Sequence, residues 1–107
     1  MNLNVEKILI IGLGMIGSSI ALASKSKGIK VFGFDKSNNS IKEALEKNII
    51  DSSIDSIDGI DSSDFVKEID LIVIAVPPKQ TLEVLKSLKN IWNTNVTITD
   101  TSSVKNH

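Results

Sequence analysis

The 107-residue sequence contains no cysteine. Without thiols it can build neither a disulfide framework nor a zinc–sulfur site, and it has no thiolate nucleophile. Its single histidine is the last residue, His107, so no histidine cluster is available to hold a metal. Neither sign of charge predominates, because twelve basic residues against thirteen acidic leave a formal net charge of −1. A surface built for nucleic acid or an anionic membrane needs a basic excess to neutralise phosphates, so neither partner is expected. No apolar run approaches the roughly 18 residues of a membrane span. The longest, around residues 8–11 and 71–76, are strand-sized. Residues 1–7 read as polar overall and include Glu6, unlike the basic-then-apolar layout of a secretory signal. What remains is one cytoplasmic domain, whose 41% apolar residues suffice for a single core.

The residues present alternate between short β-branched runs and longer amphipathic stretches. Lys7-Ile8-Leu9-Ile10-Ile11 is apolar at consecutive positions, the mark of a strand covered on both faces. Residues 15–27 predict a helix, with Ile16, Ile20 and Ala23 as its apolar stripe and Gly28 as its C-terminal stop. Residues 30–34 predict a second strand that ends at Asp35. Residues 37–40 are turn and cap material, and the Ser40-to-Glu43 spacing suits a capping box ahead of a short helix. Ile41, Ala44 and Leu45 form its apolar face, and it ends near Asn48. Residues 51–64 are biased toward Asp, Ser and Ile. They predict a loop with a short edge strand near 54–57, then a helical turn over 61–68. The EF-hand ligand spacing and its closing Glu are missing there, which disfavours calcium binding. Residues 71–76 predict a buried strand stopped by Pro77-Pro78, and Leu82, Leu85 and Leu88 mark a helix over 79–88. Residues 96–99 form a last strand. Strands alternating with helices give an α/β fold, a doubly wound parallel sheet with helices on both faces.

Gly12-Leu13-Gly14-Met15-Ile16-Gly17 is a G-x-G-x-x-G run at the junction of the first strand and the first helix. Gly12 permits a tight turn, Gly14 lets a pyrophosphate approach the backbone, and Gly17 lets the helix pack against the strand. The helix start then offers unpaired N–H groups and a positive dipole end to phosphates. No P-loop lysine is present, which disfavours ATP-type phosphoryl transfer. Asp35 follows the glycines by about 20 residues and ends the second strand, where its carboxylate can accept hydrogen bonds from ribose hydroxyls. Its charge repels a 2′-phosphate, favouring NAD over NADP, while neighbouring Lys36 partly offsets that repulsion. Ligands of such sheets lie beyond the strands' carboxyl ends, where strand order reverses. Ala75, Val76 and Pro77 therefore fall beside the nicotinamide half, as do Thr101, Ser102 and Ser103. Those hydroxyls can bond the carboxamide or a substrate oxygen, or can serve only as a solvated turn. No base able to activate a serine is visible, which argues against a nucleophilic role.

Residues 10–19, Gly33-Phe34-Asp35-Lys36, Ala75-Val76-Pro77 and Thr99-Asp100-Thr101-Ser102-Ser103-Val104-Lys105 together resemble the prephenate/arogenate dehydrogenase family. The likeness covers nearly the whole chain but only the family's N-terminal, Rossmann-like NAD-binding half. In the family the last segment usually reads Asp-Val-Gly-Ser-Val-Lys. Asp100, Ser103, Val104 and Lys105 match it, while Thr101 and Ser102 replace Val-Gly; Ser18 likewise stands where a glycine is frequent. The resemblance implies NAD-dependent oxidative decarboxylation of prephenate, or dehydrogenation of arogenate, in tyrosine biosynthesis. It makes Ser103 the catalytic residue beside the nicotinamide. It also implies that the catalytic histidine, the substrate-binding arginine and a helical domain for substrate binding and homodimerisation lie beyond this chain. His107 follows Lys105 too closely to be that histidine. Two alternatives stay open on sequence: the cofactor half of a β-hydroxyacid-type dehydrogenase, and a non-catalytic NAD(H)-sensing module.

Overall fold

A strand of consecutive apolar residues is stable only where both its faces are covered. In the computed structural model, which describes residues 5–54, 68–88 and 96–101, that strand is the centre of a five-stranded parallel sheet. The elements are β1 (Lys7–Ile11), α1 (Met15–Ser26), β2 (Lys30–Phe34), α2 (Asn38–Glu46), β3 (Ser52–Ser53), β4 (Leu71–Ile74), α3 (Pro78–Ser87) and β5 (Thr97–Asp100). Their order across the sheet is β3-β2-β1-β4-β5. The chain thus builds outward from β1 through β2 to β3, then crosses back to lay β4 on the other side of β1. Strand order reverses between β1 and β4, and this reversal opens the crevice above their carboxyl ends.

Side chains along β1 alternate between two cores. Ile8 and Ile10 pack with Val31, Val73 and Ile50 under Ala21 of α1 and Ala44 of α2. Leu9 and Ile11 pack on the opposite face with Ile72 and Ile74 under Val84 and Leu88 at α3. Both faces are covered, as an apolar run with no alternation requires, and the doubly wound architecture follows.

β1, β2 and β5 stand within a residue of the sequence reading, while β4 stops at Ile74 rather than at residue 76. The helix faces agree only in part: Ile41 and Ala44 of α2 and Leu85 and Leu88 at α3 pack into the cores as expected. α1 buries Gly17, Ala21 and Ser24; of the expected stripe Ile20 packs half-buried against the core, whereas Ala23 is exposed and Ile16 is 44% exposed. The helix lies so close to the sheet that its smallest residues fit beneath it, and the larger ones are turned to its flanks. On α3, Thr81, Val84 and the following Leu88 are buried, whereas Leu82 is 61% exposed. α2 starts earlier than a Ser40 cap implies. Its N-cap is Ser37, whose hydroxyl accepts the Ser40 N–H at 3.3 Å, because the chain turns into the helix directly after Asp35. Pro78 occupies the first turn of α3, one residue ahead of the expected start, where its missing N–H costs nothing.

Gly28 closes α1 as expected, at φ +82°, with the Gly28 and Ile29 N–H groups bonded to the Lys25 and Ser24 carbonyls. Asn48 adopts the same left-handed conformation after α2, φ +58°. That turn delivers Asp51 to the edge of β2, and β3 pairs there at Ser52 and Ser53, ahead of the edge strand expected near 54–57. Residues 55–57, and residues 61–67 of the helical turn expected over 61–68, lie outside the described residues. Among the described residues no helix is long and apolar enough to cross a membrane.

Candidate functional site

The carboxyl end of β1 is held between its neighbours by two backbone bonds. Gly12 N–H donates to the Phe34 carbonyl of β2 at 2.8 Å, and Ala75 N–H donates to Ile11 at 2.7 Å. The chain then turns at Gly12, φ +102°, where a Cβ would stand 2.6 Å from the Ala75 carbonyl oxygen. Only glycine meets both the left-handed backbone and the close approach to β4. Five residues on, a Cβ at Gly17 would collide with the Gly12 carbonyl, so the loop and the first turn of α1 are packed backbone to backbone. Ser18 reinforces this, its hydroxyl donating to the Leu13 carbonyl at 3.1 Å.

Gly14 differs from these two. It is exposed, its backbone is extended, and a Cβ there would meet nothing within 4 Å. Nothing in the protein's own packing excludes a side chain, so the space is available to a ligand. Gly14 is also the N-cap of α1, and it supplies no side chain to the amides of the first turn, which contains no acidic residue. The positive end of the helix dipole thus points, uncapped, into the crevice, an arrangement that suits a pyrophosphate.

Two adjoining lobes, each about 310 Å³, meet at Gly14, Ala75, Val76 and Pro77. One extends toward β2, with Phe34, Asp35, Lys36 and Ser37 on one wall and Gln80 and Val84 on the other. The second extends toward β5 and is lined by Met15, Ile16, Pro78 and Thr101. Each falls at the lower end of ordinary ligand-site volumes, and together they match an elongated ligand with a charged middle.

Asp35 serves two ends of the crevice at once. One carboxylate oxygen accepts the Leu13 N–H at 2.7 Å, and the other accepts the Ser37 N–H at 2.9 Å. The first bond fixes the glycine loop and the second orients the start of α2. A carboxylate has about four acceptor positions, so lone pairs remain for a sugar diol. Lys36 reaches across the lobe to Glu83 of α3, Nζ to Oε2 at 3.8 Å.

Of the residues singled out from sequence, Gly12, Gly14, Met15, Ile16, Asp35, Lys36, Ala75, Val76, Pro77 and Thr101 line the two lobes. Leu13 and Gly17 do not. Leu13 is buried in the core under α1 and α2, and Gly17 supports the loop from behind. The Thr101 hydroxyl donates to the Ile74 carbonyl at 3.2 Å, tying β5 to β4. It can therefore accept a ligand's hydrogen bond but is not free to donate one. Ser102 and Ser103 lie outside the described residues. Sequence reasoning missed Ser37, Gln80, Val84 and Pro78, which reach the crevice through the fold. The one available signal was the helical spacing of Gln80 and Val84 after Pro77.

These features can be set beside known proteins. Residues 20–107 match the model of the prephenate dehydrogenase nucleotide-binding domain. The chain is 39% identical over 103 residues to prephenate dehydrogenase of Lactococcus lactis, covering 94% of this chain and 27% of that protein. It is 39% identical over 109 residues to the Bacillus subtilis enzyme, covering 98% of this chain and 28% of that one. The crystal structure of Aquifex aeolicus prephenate dehydrogenase with hydroxyphenyl propionate and NAD+ superposes with a TM-score of 0.79 at 30% identity. That match spans 94% of this chain and 34% of that one. The chain thus spans about a third or less of the length of these relatives. The family match also separates the two enzyme readings left open by the glycine loop, against a β-hydroxyacid type. This chain belongs to the prephenate dehydrogenase family of oxidoreductases, within its nucleotide-binding domain.

Proposed function

We propose that the chain holds NAD+ across the two lobes, as the cofactor-binding part of a cytoplasmic enzyme of tyrosine biosynthesis. That enzyme oxidatively decarboxylates prephenate or dehydrogenates arogenate. The observation that carries this reading is the uncapped start of α1, opening between two lobes of which one holds the Asp35 carboxylate. In this reading the pyrophosphate rests on the amides that open α1 at Gly14 and Met15, while Gly12 and Leu13, whose N–H groups are bonded to Phe34 and Asp35, hold the loop in place with Gly17 behind it. Asp35 accepts the adenosine ribose hydroxyls. Met15, Ile16, Ala75, Val76, Pro77 and Thr101 flank the nicotinamide, and the weakly polar walls keep water from its face. When bound, the nicotinamide accepts a hydride from the substrate carbon that carries the ring hydroxyl.

Ser103 enters through its match to the family motif, as the residue that hydrogen-bonds the reacting region, and Ser102, which departs from that motif, offers a hydroxyl beside it. The base for the hydroxyl proton belongs to a helical substrate domain outside this chain, through which the enzyme forms a homodimer. Calorimetric titration of the 107-residue chain with NAD+ tests the cofactor half of the reading: saturable heat is expected, and its absence in folded protein overturns it. The same chain is expected to turn over prephenate negligibly. In a full-length enzyme Ser103→Ala is expected to lower the rate greatly at unchanged NAD+ affinity; an unaffected rate would remove Ser103 from catalysis.

A further inference from the structure

The lobe that Asp35 serves is bounded by two walls from distant parts of the chain, residues 34–37 after β2 and, from β4 and α3, Ala75, Val76, Pro77, Gln80 and Val84, with Glu83 adjoining the last of these. Among the described residues the ion pair of Lys36 Nζ with Glu83 Oε2, at 3.8 Å, joins those walls. The other three, Lys7–Glu68, Lys25–Asp51 and Lys47–Glu43, lie away from the crevice. Lys36 adjoins the carboxylate that would receive the ribose. It is therefore the cation positioned to welcome a phosphate on that ribose, and Glu83 engages it from across the lobe. With Asp35 and Lys36 alone, the formal charges at this end cancel. With Glu83 engaging Lys36, that cation is drawn away from an incoming 2′-phosphate.

Resting on the reading of this crevice as a dinucleotide site, we propose that Glu83 is a specificity-determining residue. By engaging Lys36, it withholds from a 2′-phosphorylated nucleotide the cation that would bind it, and so enforces preference for NAD+ over NADP+. The effect acts through Lys36 and requires no contact between Glu83 and the cofactor. Both side chains are largely solvent-exposed, so the coupling is modest and sensitive to salt.

The test is a double-mutant cycle on the whole chain, reading dissociation constants for NAD+ and NADP+ by calorimetry, with competition against NAD+ for weak binders. Glu83→Gln is expected to lower the NADP+/NAD+ ratio of dissociation constants about two- to fivefold at low ionic strength. Lys36→Gln is expected to raise that ratio, and Glu83→Gln added to it is expected to change nothing further. A ratio unmoved by Glu83→Gln overturns the proposal. So does an equal shift for Glu83→Gln with and without Lys36, which would make Glu83 a general repulsive charge. Equal weakening of both nucleotides would instead make the pair a brace between the walls, and also overturns it. If the unaltered chain binds neither nucleotide, the reading of the crevice fails first, and this inference with it.

Discussion

Of the aspartates at strand ends in this fold, Asp70, Asp51 and Asp35 have surroundings that divide the molecule in two. Asp70 precedes β4, and one of its oxygens accepts the N–H groups of both Glu6 and Lys7, at 2.8 and 3.0 Å. Asp51 precedes β3, accepts the Val31 N–H at 2.8 Å and pairs with Lys25 at 3.3 Å. Both lie at the amino ends of the strands and stitch neighbouring strands together. Asp35 lies at the carboxyl end and also accepts two backbone amides, yet it faces a crevice rather than a seam. The glycine loop beside it is packed backbone to backbone at Gly12 and Gly17, while the helix that follows begins uncapped. In a parallel sheet the two ends are inequivalent: every helix starts above the carboxyl ends, and its free amides collect there. Carboxylates at the amino end complete the structure, and one at the carboxyl end can complete a ligand site as well.

The largest effect is expected where loop and helix meet. Gly17→Ala places a methyl group against the Gly12 carbonyl, and since both partners are backbone, neither can rotate away. Overpacking of this kind costs roughly 1–3 kcal/mol, occasionally more, and here the cost belongs at or above the top of that range. Denaturant melts are expected to show the loss, and nucleotide titration to show weakened binding. A variant of native stability would mean that α1 sits farther from the loop.

Asp35→Ala and Asp51→Ala set the two ends against each other directly. Each removes the acceptor of a partly buried backbone N–H, of Leu13 in one case and Val31 in the other. Each is expected to destabilise by about 1–3 kcal/mol. Only Asp35→Ala is expected to weaken NAD+ and relax discrimination against NADP+. Equal losses of nucleotide affinity in the two variants would erase the distinction between the ends.

Gly14→Ala sharpens the same comparison by separating folding from binding. Its Cβ meets open space, so stability is expected to stay within about 0.5 kcal/mol. The methyl group would nonetheless hold a phosphate away from the amides. Losing one charge-assisted hydrogen bond of about 1.5–3 kcal/mol weakens binding by about ten- to a hundredfold. Unchanged affinity would place the pyrophosphate elsewhere.

What could be read in the sequence follows from how locally each feature is encoded. β1, β2 and the stops at Gly28 and Pro77 are set by adjacent residues, and they stand within a residue or two of expectation. The G-x-G-x-x-G loop and Asp35 were legible because their roles follow from spacing along one strand–helix–strand unit. The buried stripe of α1 was not, since side-chain size argued for Ile16 and Ile20, while close packing selected Gly17, Ala21 and Ser24. β3 escaped because Ser52 and Ser53 have little intrinsic strand preference. The left-handed turn at Asn48 and the Asp51 bonds bring them to β2. Gln80, Val84 and Glu83 face Asp35 or Lys36 only after the chain crosses the sheet, and no short-range pattern could report that.

The smallest effect belongs to the amino end, where Lys7 and Glu68 meet at 2.6 Å in the open. The Lys7 ammonium donates a hydrogen bond that holds the Glu68 carboxyl below its ordinary 4.5, and Coulomb attraction adds to it. The same hydrogen bond raises Lys7 above 10.5, partly opposed by desolvation. A carboxyl depressed on folding contributes stability that is fully present above its unfolded value and is lost as pH falls through the folded one. An ammonium raised on folding contributes below 10.5 and loses that contribution as pH rises through its folded value. Both contributions are therefore present between those limits, though solvent screening keeps them small. The difference in melting temperature between the native chain and Glu68→Gln is expected to be flat across neutral pH. It should shrink as pH falls below about 4.5 and fade in high salt. A gap that widens in acid would mean that Glu68 is destabilising in its ionised form. The amino end would then carry strain of its own, contrary to the division between seam and site.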